Sequence, residues 1–168
     1  MNKRMIFILI AIFLLSGCSD KNYNDSSIQK AVSKTNIEIK SILYKEEVDD
    51  GIVLFYETLN QEGLNIGYLR KTTFGLKWVT GGGVAEPISD EGLSWAWTRI
   101  DEGVSYFYGV VRNPRIEKIH VRDSKGNIEE AKIVKGENDV LIWFVKRSDD
   151  YRGQITGLSK EGQVLYTY

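Results

Sequence analysis

The fold of this chain is decided by the stretch Val140-Leu141-Ile142-Trp143-Phe144-Val145. Successive side chains of a β-strand point to opposite faces of the sheet, so a strand with one solvated face alternates apolar and polar residues. In this stretch both alternating sets are apolar, and neither face suits water. The stretch therefore predicts a strand in the middle of a sheet that is covered on both sides, with Trp143 in the core.

Around this stretch, the second half of the chain predicts a β-sandwich-like subdomain over residues 94–168. Runs of β-branched and aromatic residues alternate with short turns such as Ser124-Lys125-Gly126-Asn127 and Lys160-Glu161-Gly162. The strands are predicted at residues 93–99, 104–111, 115–123, 128–134, 140–146, 154–159 and 163–168. About seven strands with regularly spaced turns indicate an immunoglobulin-like sandwich or a related open barrel.

The first half, residues 26–80, predicts a helix followed by an antiparallel β-meander. Ser26 is a candidate N-cap, and Gln29 three residues later completes a capping-box pattern. Apolar residues at helical spacing predict a helix over residues 27–35. After the helix the apolar residues alternate at every second position, and turn signals separate about four strands that end near Thr80. The chain is therefore expected to be mainly β, with a short helix and α+β character on its N-terminal side.

Residues 81–93 predict an irregular connector between these two subdomains. The segment begins with Gly81-Gly82-Gly83 and also contains Pro87. A phosphate-binding loop would need Gly-Lys-Ser or Gly-Lys-Thr and a following helix, and the segment provides neither. A flexible connector is the better interpretation of the glycines.

The first residues of the chain, 1–17, predict a signal peptide. Lys3 and Arg4 supply a positive start, and every residue from Met5 to Leu15 is apolar. This run is too short for a transmembrane helix, which needs about 20 apolar residues. It is followed directly by Leu15-Ser16-Gly17-Cys18, which resembles the lipobox of bacterial lipoproteins.

The lipobox resemblance implies that Cys18 is lipidated with a diacylglyceryl group and that the preceding peptide is removed. Residues 18–25 are polar and predict a tether, so the domain is expected on the extracytoplasmic face of the cell membrane, held by its lipid. Two acyl chains are sufficient for stable attachment. Because Cys18 is the only cysteine, its acylation would leave no thiol for a disulfide, a metal or a nucleophile.

The mature chain also resembles small lipoproteins of Gram-positive spore-forming bacteria. The likeness consists of a lipobox, a helix, residues 76–83 with their Lys-Trp-Val-Thr-Gly-Gly-Gly run, and an all-β tail that includes residues 142–144 and 158–166. It implies an address in the cell envelope and no particular reaction. A Gram-negative origin stays open, because Ser19 after the cysteine resembles outer-membrane sorting.

The charge balance argues against nucleic acid as a partner. The chain has 22 basic and 23 acidic side chains, a formal net charge of −1, and the signal peptide contains two of the basic ones. Nucleic-acid binding usually requires a strong basic excess on one face. The same balance argues against a polybasic second membrane signal, so the lipid is expected to provide the anchoring.

No catalytic, metal or cofactor site is predicted. His120 is the only histidine, and strand alternation places it outward beside Lys118 and Arg122. A nucleophile–histidine–acid triad needs an imidazole aimed at a serine or threonine, and no Gly-x-Ser-x-Gly motif supports one. One histidine and an acylated cysteine cannot supply the usual ligands of zinc, and no calcium-loop spacing is present.

Aromatic residues are the one enrichment with a functional interpretation. The chain has 4 tryptophans and 9 tyrosines. Trp95 and Trp97 share one face of a predicted strand, as Tyr106 and Tyr108 share one face of the next. If those faces are exposed, the four residues form a candidate platform for sugar rings or a protein. The preferred interpretation places them in the sandwich core.

These patterns together predict a membrane-anchored envelope lipoprotein that is not an enzyme and acts as a binding or interaction module. Its expected partners are the membrane, through lipidated Cys18, and an envelope protein or a glycan. The alternative is a small cell-wall hydrolase or an inhibitor of an envelope enzyme. With 23 acidic residues, the sequence does not select the carboxylate pair that a glycosidase would need.

Overall fold

The computed structural model describes residues 23–86, 92–147 and 153–168, which form one α-helix, twelve strands and a short 3-10 helix (Glu137–Asp139) between the ninth and tenth strands. The predicted signal peptide and Cys18 lie outside the described residues, as does most of the tether. The helix is α1 (Asp25–Val32). The strands are β1 (Ile39–Val48), β2 (Gly51–Thr58), β3 (Leu64–Thr72), β4 (Gly75–Ala85), β5 (Ala96–Asp101), β6 (Val104–Val111), β7 (Lys118–Asp123), β8 (Ile128–Glu130), β9 (Lys132–Lys135), β10 (Leu141–Arg147), β11 (Gly153–Leu158) and β12 (Val164–Thr167).

The strands form three antiparallel sheets of four strands each. Sheet A is the meander β1-β2-β3-β4, sheet B has the order β5-β6-β10-β9, and sheet C has the order β12-β11-β7-β8. The chain is therefore mainly β, with sheets packed face to face and a short N-terminal helix, as the sequence predicts. All three sheets are open in the described part of the chain.

Sheet B is the middle layer, which confirms the interpretation of residues 140–145. One face of β10 packs against sheet A through Ile142 and Phe144, and the other packs against sheet C through Trp143 and Val145. Trp143 is fully buried, and its indole N–H donates a 2.9 Å hydrogen bond to the Ser94 carbonyl. The two alternating apolar sets thus belong to two different cores.

Trp143 fits because its cross-strand partner has no side chain. Gly109 of β6 lies directly opposite Trp143. A Cβ at Gly109 would lie 1.9 Å from the Ser94 carbonyl oxygen and 2.7 Å from the indole nitrogen, closer than atoms pack. Glycine at this position therefore makes room for both the ring and its hydrogen bond.

Helix α1 covers the outer face of sheet A. Its buried residues Ile28, Ala31 and Val32 pack against side chains of β2 and β3. The predicted range of residues 27–35 and the Ser26 N-cap were wrong. Asn24 caps the helix instead, because its side-chain oxygen accepts the Ser27 backbone N–H at 3.1 Å, and asparagine is as good a cap as serine. This helix is too short to span a membrane.

The Gly81-Gly82-Gly83 run lies inside β4, so residues 81–85 are strand rather than the start of an irregular connector. Residues 87–91 of that predicted connector lie outside the described residues. The ring of Trp78 covers the cross-strand pair Gly67 and Gly81, where added Cβ atoms would lie 2.2 and 2.4 Å from ring carbons. The Gly82 carbonyl also accepts hydrogen bonds from Thr98 and Tyr108 of sheet B. The glycines therefore allow close packing.

The halves of the chain meet in one shared core between sheets A and B. Phe55 of β2 stacks on Phe144 of β10, with ring centroids 4.8 Å apart, and approaches Tyr108 of β6 at 6.0 Å. The second half forms two sheets, as predicted, but with eight strands, because the predicted strand 128–134 is interrupted at Ala131. The buried Ala131 still hydrogen-bonds β7 through its N–H, and after it the chain passes from sheet C into sheet B.

Candidate functional site

The predicted aromatic platform is not assembled on one surface. Side chains directly opposite in an antiparallel pair share a face, and Trp97 lies opposite Phe107, whereas Tyr106 lies opposite Thr98. Tyr106 and Tyr108 therefore face sheet A, where they are 2% and 0% exposed, while Trp97 packs against the core between sheets B and C. The core interpretation of the two tyrosines is confirmed.

Trp95 lies just before β5, partly buried on the sheet C side. Its ring centroid is 4.4 Å from that of Tyr168 and 6.3 Å from that of Phe107. Trp95 and Trp97 thus pack mainly inward, and of this group Tyr168, which is 61% exposed, offers most of its ring to solvent. The tryptophans do not form the open stacking surface that the sequence suggested.

A cleft of about 510 Å³ lies beside β1 and is here called the β1 cleft. The α1 residues that line it include Ile28 and Gln29, Ser33 follows directly after the helix, and β1 supplies residues 39–45. Glu137 closes the lining from the turn between β9 and β10. A volume of this size is typical of sites for small molecules or for a few residues of a peptide.

β1 lies at the edge of sheet A, with β2 as its only strand neighbour among the described residues. An edge strand presents backbone N–H and C=O groups to which another chain can bind. The register of β1 with β2 shifts twice, between Ile39 and Ser41 and between Ile42 and Tyr44. Such bulges twist a strand and are common at sheet edges.

Where the second shift occurs, β1 brings two successive residues towards the same core. Ile42 packs with the helix-side core, whereas Leu43 and Tyr44 both belong to the core between sheets A and B. The Leu43 carbonyl also lies close to Gly136, at which a Cβ would come within 2.7 Å of that oxygen. Edge pairing along the whole of β1 is therefore interrupted near Leu43, and the cleft beside residues 39–42 is the more open part.

The charges of the β1 cleft are mostly paired within the protein. Lys45 of β1 pairs with Asp25 of α1 at 2.5 Å, and Lys40 pairs with Glu57 at 3.2 Å. These pairs are well exposed, so each stabilises the fold by less than about 1 kcal/mol. The lining therefore has no strong excess of either sign, which argues against a highly charged ligand.

A second hollow of about 440 Å³ adjoins the cleft and shares four of its lining residues, Leu43, Tyr44, Lys45 and Glu137. Next to it, Glu46 accepts a 2.7 Å hydrogen bond from the Tyr44 hydroxyl and a 2.8 Å hydrogen bond from Lys132 of β9. Burial, and then the Glu46 hydrogen bond, raise the pKa of Tyr44. These contacts join the edges of sheets A and B at this side of the molecule.

No group of three or more histidine, cysteine, aspartate or glutamate side chains in the described part of the chain is arranged to hold a metal ion. His120 lies 3.5 Å from Glu130 on the neighbouring strand β8 and is partly exposed.

Comparison with known proteins gives no relative. No family model, curated protein or solved structure matches the chain. The functional argument therefore depends on the geometry of the described residues and on the N-terminal sequence pattern.

Sequence reasoning missed the β1 cleft because the cleft depends on how α1 packs beside β1 and on Glu137, which lies far along the chain from both. One signal for the edge position was present. Lys45, Glu46 and Glu47 are consecutive charged residues within a predicted strand, and charged side chains are a common protection of edge strands. No comparable charge pattern indicates that α1 or the turn at residues 137–139 borders a cleft.

Proposed function

We propose that this protein is a lipid-anchored binding module of the cell envelope, whose β1 cleft takes an extended segment of an envelope protein. The observation that carries the proposal is the position of the cleft, along an edge strand that has an unpaired side in the described structure. Extended peptides bind such edges by adding a strand, with backbone hydrogen bonds for affinity and side-chain pockets for specificity.

Two further features support a peptide as the occupant. The cleft is lined by residues 39–45 of β1 and is more open beside residues 39–42, a length that suits a short extended segment. Its lining combines apolar side chains such as Ile39 and Ile42 with polar ones such as Gln29. The paired charges leave backbone pairing and shape, rather than net charge, as the basis of recognition.

The expected lipid at Cys18 gives this module its location. Residue 25, which lines the cleft, is the first residue of α1 and lies only seven positions after Cys18. Anchoring would therefore hold the cleft close to the membrane surface, within reach of membrane proteins and of the inner part of the wall.

The test compares two positions of one helix. Gln29 and Lys30 are adjacent exposed residues of α1, and only Gln29 lines the cleft. A photo-crosslinking residue at position 29 of the membrane-anchored protein should capture an extended segment of an envelope protein, and one at position 30 should not. With a synthetic peptide of that segment, Gln29→Trp should weaken binding about tenfold or more, or about 1.4 kcal/mol, and Lys30→Trp should leave it unchanged.

Amide hydrogen exchange provides the second measurement. Addition of a strand to β1 should slow exchange of amides within residues 39–45 when the peptide is bound. Equal crosslinking from positions 29 and 30, or binding with no change in β1 exchange, would contradict the proposal. Either result would move the binding surface away from this cleft.

A further inference from the structure

Another, smaller pocket lies between sheets A and B, at the end of β1 where Val48 is located; we call it the sandwich-end pocket. It has a volume of about 50 Å³ and lies between the β1–β2 and β5–β6 turns. Its polar lining consists of Asp50, Tyr68, Asp101, Tyr106 and Lys146, which come from the β1–β2 turn and from strands β3, β5, β6 and β10. Side chains from distant parts of the chain thus converge on one small space.

Two buried polar atoms make no hydrogen bond in the described structure, the Tyr68 hydroxyl of the pocket lining and the neighbouring Arg70 Nε–H, although Asp50 lies close to both without reaching hydrogen-bond distance. Tyr68 is only 2% exposed and lines the pocket. Arg70 pairs with Asp101 through Nη2, while the nearest Asp50 oxygen is 4.0 Å from Nε, beyond hydrogen-bond distance. Buried polar groups in native proteins are almost always satisfied, by protein, water or ligand.

The lining can both donate and accept hydrogen bonds. Burial, as the largest cause, raises the pKa of both Tyr68 and Tyr106 to about 12, so both hydroxyls remain protonated near neutral pH. Asp50 and Asp101 provide carboxylate oxygens, and Lys146, directly opposite Tyr106 across the β6–β10 pair, provides an ammonium group. The two carboxylates are balanced by Lys146 and Arg70, so the pocket has no net charge.

The geometry points to a neutral, hydroxyl-rich ligand, and we propose that the sandwich-end pocket binds the hydroxyl edge of a sugar or polyol. A ligand hydroxyl can accept a hydrogen bond from an unpaired donor of the pocket. The same hydroxyl can donate its own hydrogen to a neighbouring carboxylate. The small volume admits one or two hydroxyls and leaves the rest of the ligand outside. Ordered water can fill the same positions in the free protein and be displaced, since a ligand hydroxyl reproduces its hydrogen bonds.

The test uses three sugars of nearly equal size and different charge: glucose, glucosamine and glucuronate. Affinities for the lipidated full-length protein are measured by saturation-transfer NMR. We expect glucose to bind in the millimolar range and more tightly than either charged sugar. Tyr68→Phe, which removes only the unpartnered hydroxyl, should weaken glucose binding about tenfold, or about 1.4 kcal/mol.

Two further variants keep the test decisive. Tyr56→Phe is the matched control, because Tyr56 is equally buried but lies on the helix-covered face of sheet A, and it should bind glucose as the wild type does. Lys146→Met changes an exposed lining residue and should also weaken binding without loss of folding. Failure of all three sugars to bind would reduce the pocket to a water site and overturn the proposal. Preference for a charged sugar, or wild-type glucose binding by Tyr68→Phe, would overturn it as well.

Discussion

Trp143 is the residue on which the packing of the middle sheet depends most. It is fully buried and hydrogen-bonded to the Ser94 carbonyl. Trp143→Ala leaves a large cavity and an unpaired carbonyl, so we expect it to lower the free energy of unfolding by about 3–5 kcal/mol. This is a large part of the roughly 5–15 kcal/mol that stabilises a typical domain. Urea denaturation of the variant measures the loss.

Trp95→Ala is the control for this prediction. Trp95 is only partly buried, beside Phe107 and the exposed Tyr168. Its truncation should therefore destabilise the protein clearly less than that of Trp143. Equal losses of unfolding free energy in both variants, or a Trp143→Ala protein as stable as the wild type, would show that Trp143 is not the central core residue described here.

At the scale of residues, the sequence predicted which side chains share a face within one strand, but not how neighbouring strands relate. Alternation correctly separated Trp143 from Ile142 and Phe144. It also paired Trp95 with Trp97, and Tyr106 with Tyr108. Whether those two pairs face the same side depends on the register between β5 and β6, which places Trp97 opposite Phe107. The register depends on how two strands pair, so the sequence of either strand alone does not specify it.

At the scale of elements, a buried ion pair joins the end of β7 to β10. The Arg147 guanidinium lies 3.2 Å from the Asp123 carboxylate, with side chains 5% and 11% exposed, and also donates to the Val121 carbonyl. Asp123 accepts hydrogen bonds from Asn127 and from the Lys125 backbone. The Asn127 side chain first, and Arg147 to a smaller extent, hold the pKa of Asp123 below its ordinary value.

The Asp123 carboxylate, held by these hydrogen bonds and by Arg147, predicts a specific acid sensitivity. A carboxyl whose pKa is lower in the folded than in the unfolded state stabilises the fold above the unfolded pKa, and this contribution is lost as pH falls through the folded pKa. We expect Asp123→Asn to be less stable than the wild type at neutral pH and to lose less stability on acidification below about pH 5. Thermal melts across this range measure both effects.

Asp49→Asn, in the exposed β1–β2 turn, is the matched control for the acid prediction. Its pH profile should follow that of the wild type. If Asp123→Asn also followed the wild-type profile, the Asp123 carboxylate would not be a source of the acid sensitivity.

The existence of most elements was predictable, and their ends were less so. β6 begins and ends where the sequence predicted, because turn residues flank a strongly β-forming run on both sides. Helix α1 begins two residues early, because Asn24 and Ser26 are both good caps and only the fold decides between them. The interruption at Ala131 was not predictable, since its cause is the passage of the chain from sheet C to sheet B.

At the scale of the whole molecule, the expected lipid anchor depends on one sulfur atom. Cys18→Ala removes the expected site of acylation, and cleavage of residues 1–17 should fail with it. Metabolic labelling with a fatty acid should mark the wild type and not the variant. Labelling is the appropriate measurement, because an uncleaved apolar segment could keep the variant on membranes.

Cys18→Ser is the closest control, because it changes a single atom and should also remain unlabelled. Equal labelling of wild type and both variants would contradict the lipoprotein expectation. The binding proposals for the β1 cleft and the sandwich-end pocket would survive such a result, because their geometry involves only described residues.

The arrangement of layers was only partly predictable for the same physical reason as the register. The sequence indicated a meander, a sandwich and a strand covered on both sides. It did not indicate that the meander supplies one of the covers, because contacts such as Phe55 with Phe144 join residues far apart in the chain. The sandwich-end pocket lies between such distant segments, and the β1 cleft depends on them through Glu137, so no local pattern indicated either site.

Because sheet B is the middle layer, its position also determines the order in which the sheets can form while the chain is being synthesised. A chain that emerges N-terminus first can form the meander β1–β4 early, from neighbouring hairpins. β6, in contrast, pairs with β10, and some thirty residues must follow β6 before that partner is available. During this interval sheet A is available to cover Tyr108, but Phe107 on the opposite face lacks the complete sheet C that later covers it. The time between the appearance of β6 and that of β10 is therefore when the emerging chain is most exposed to aggregation.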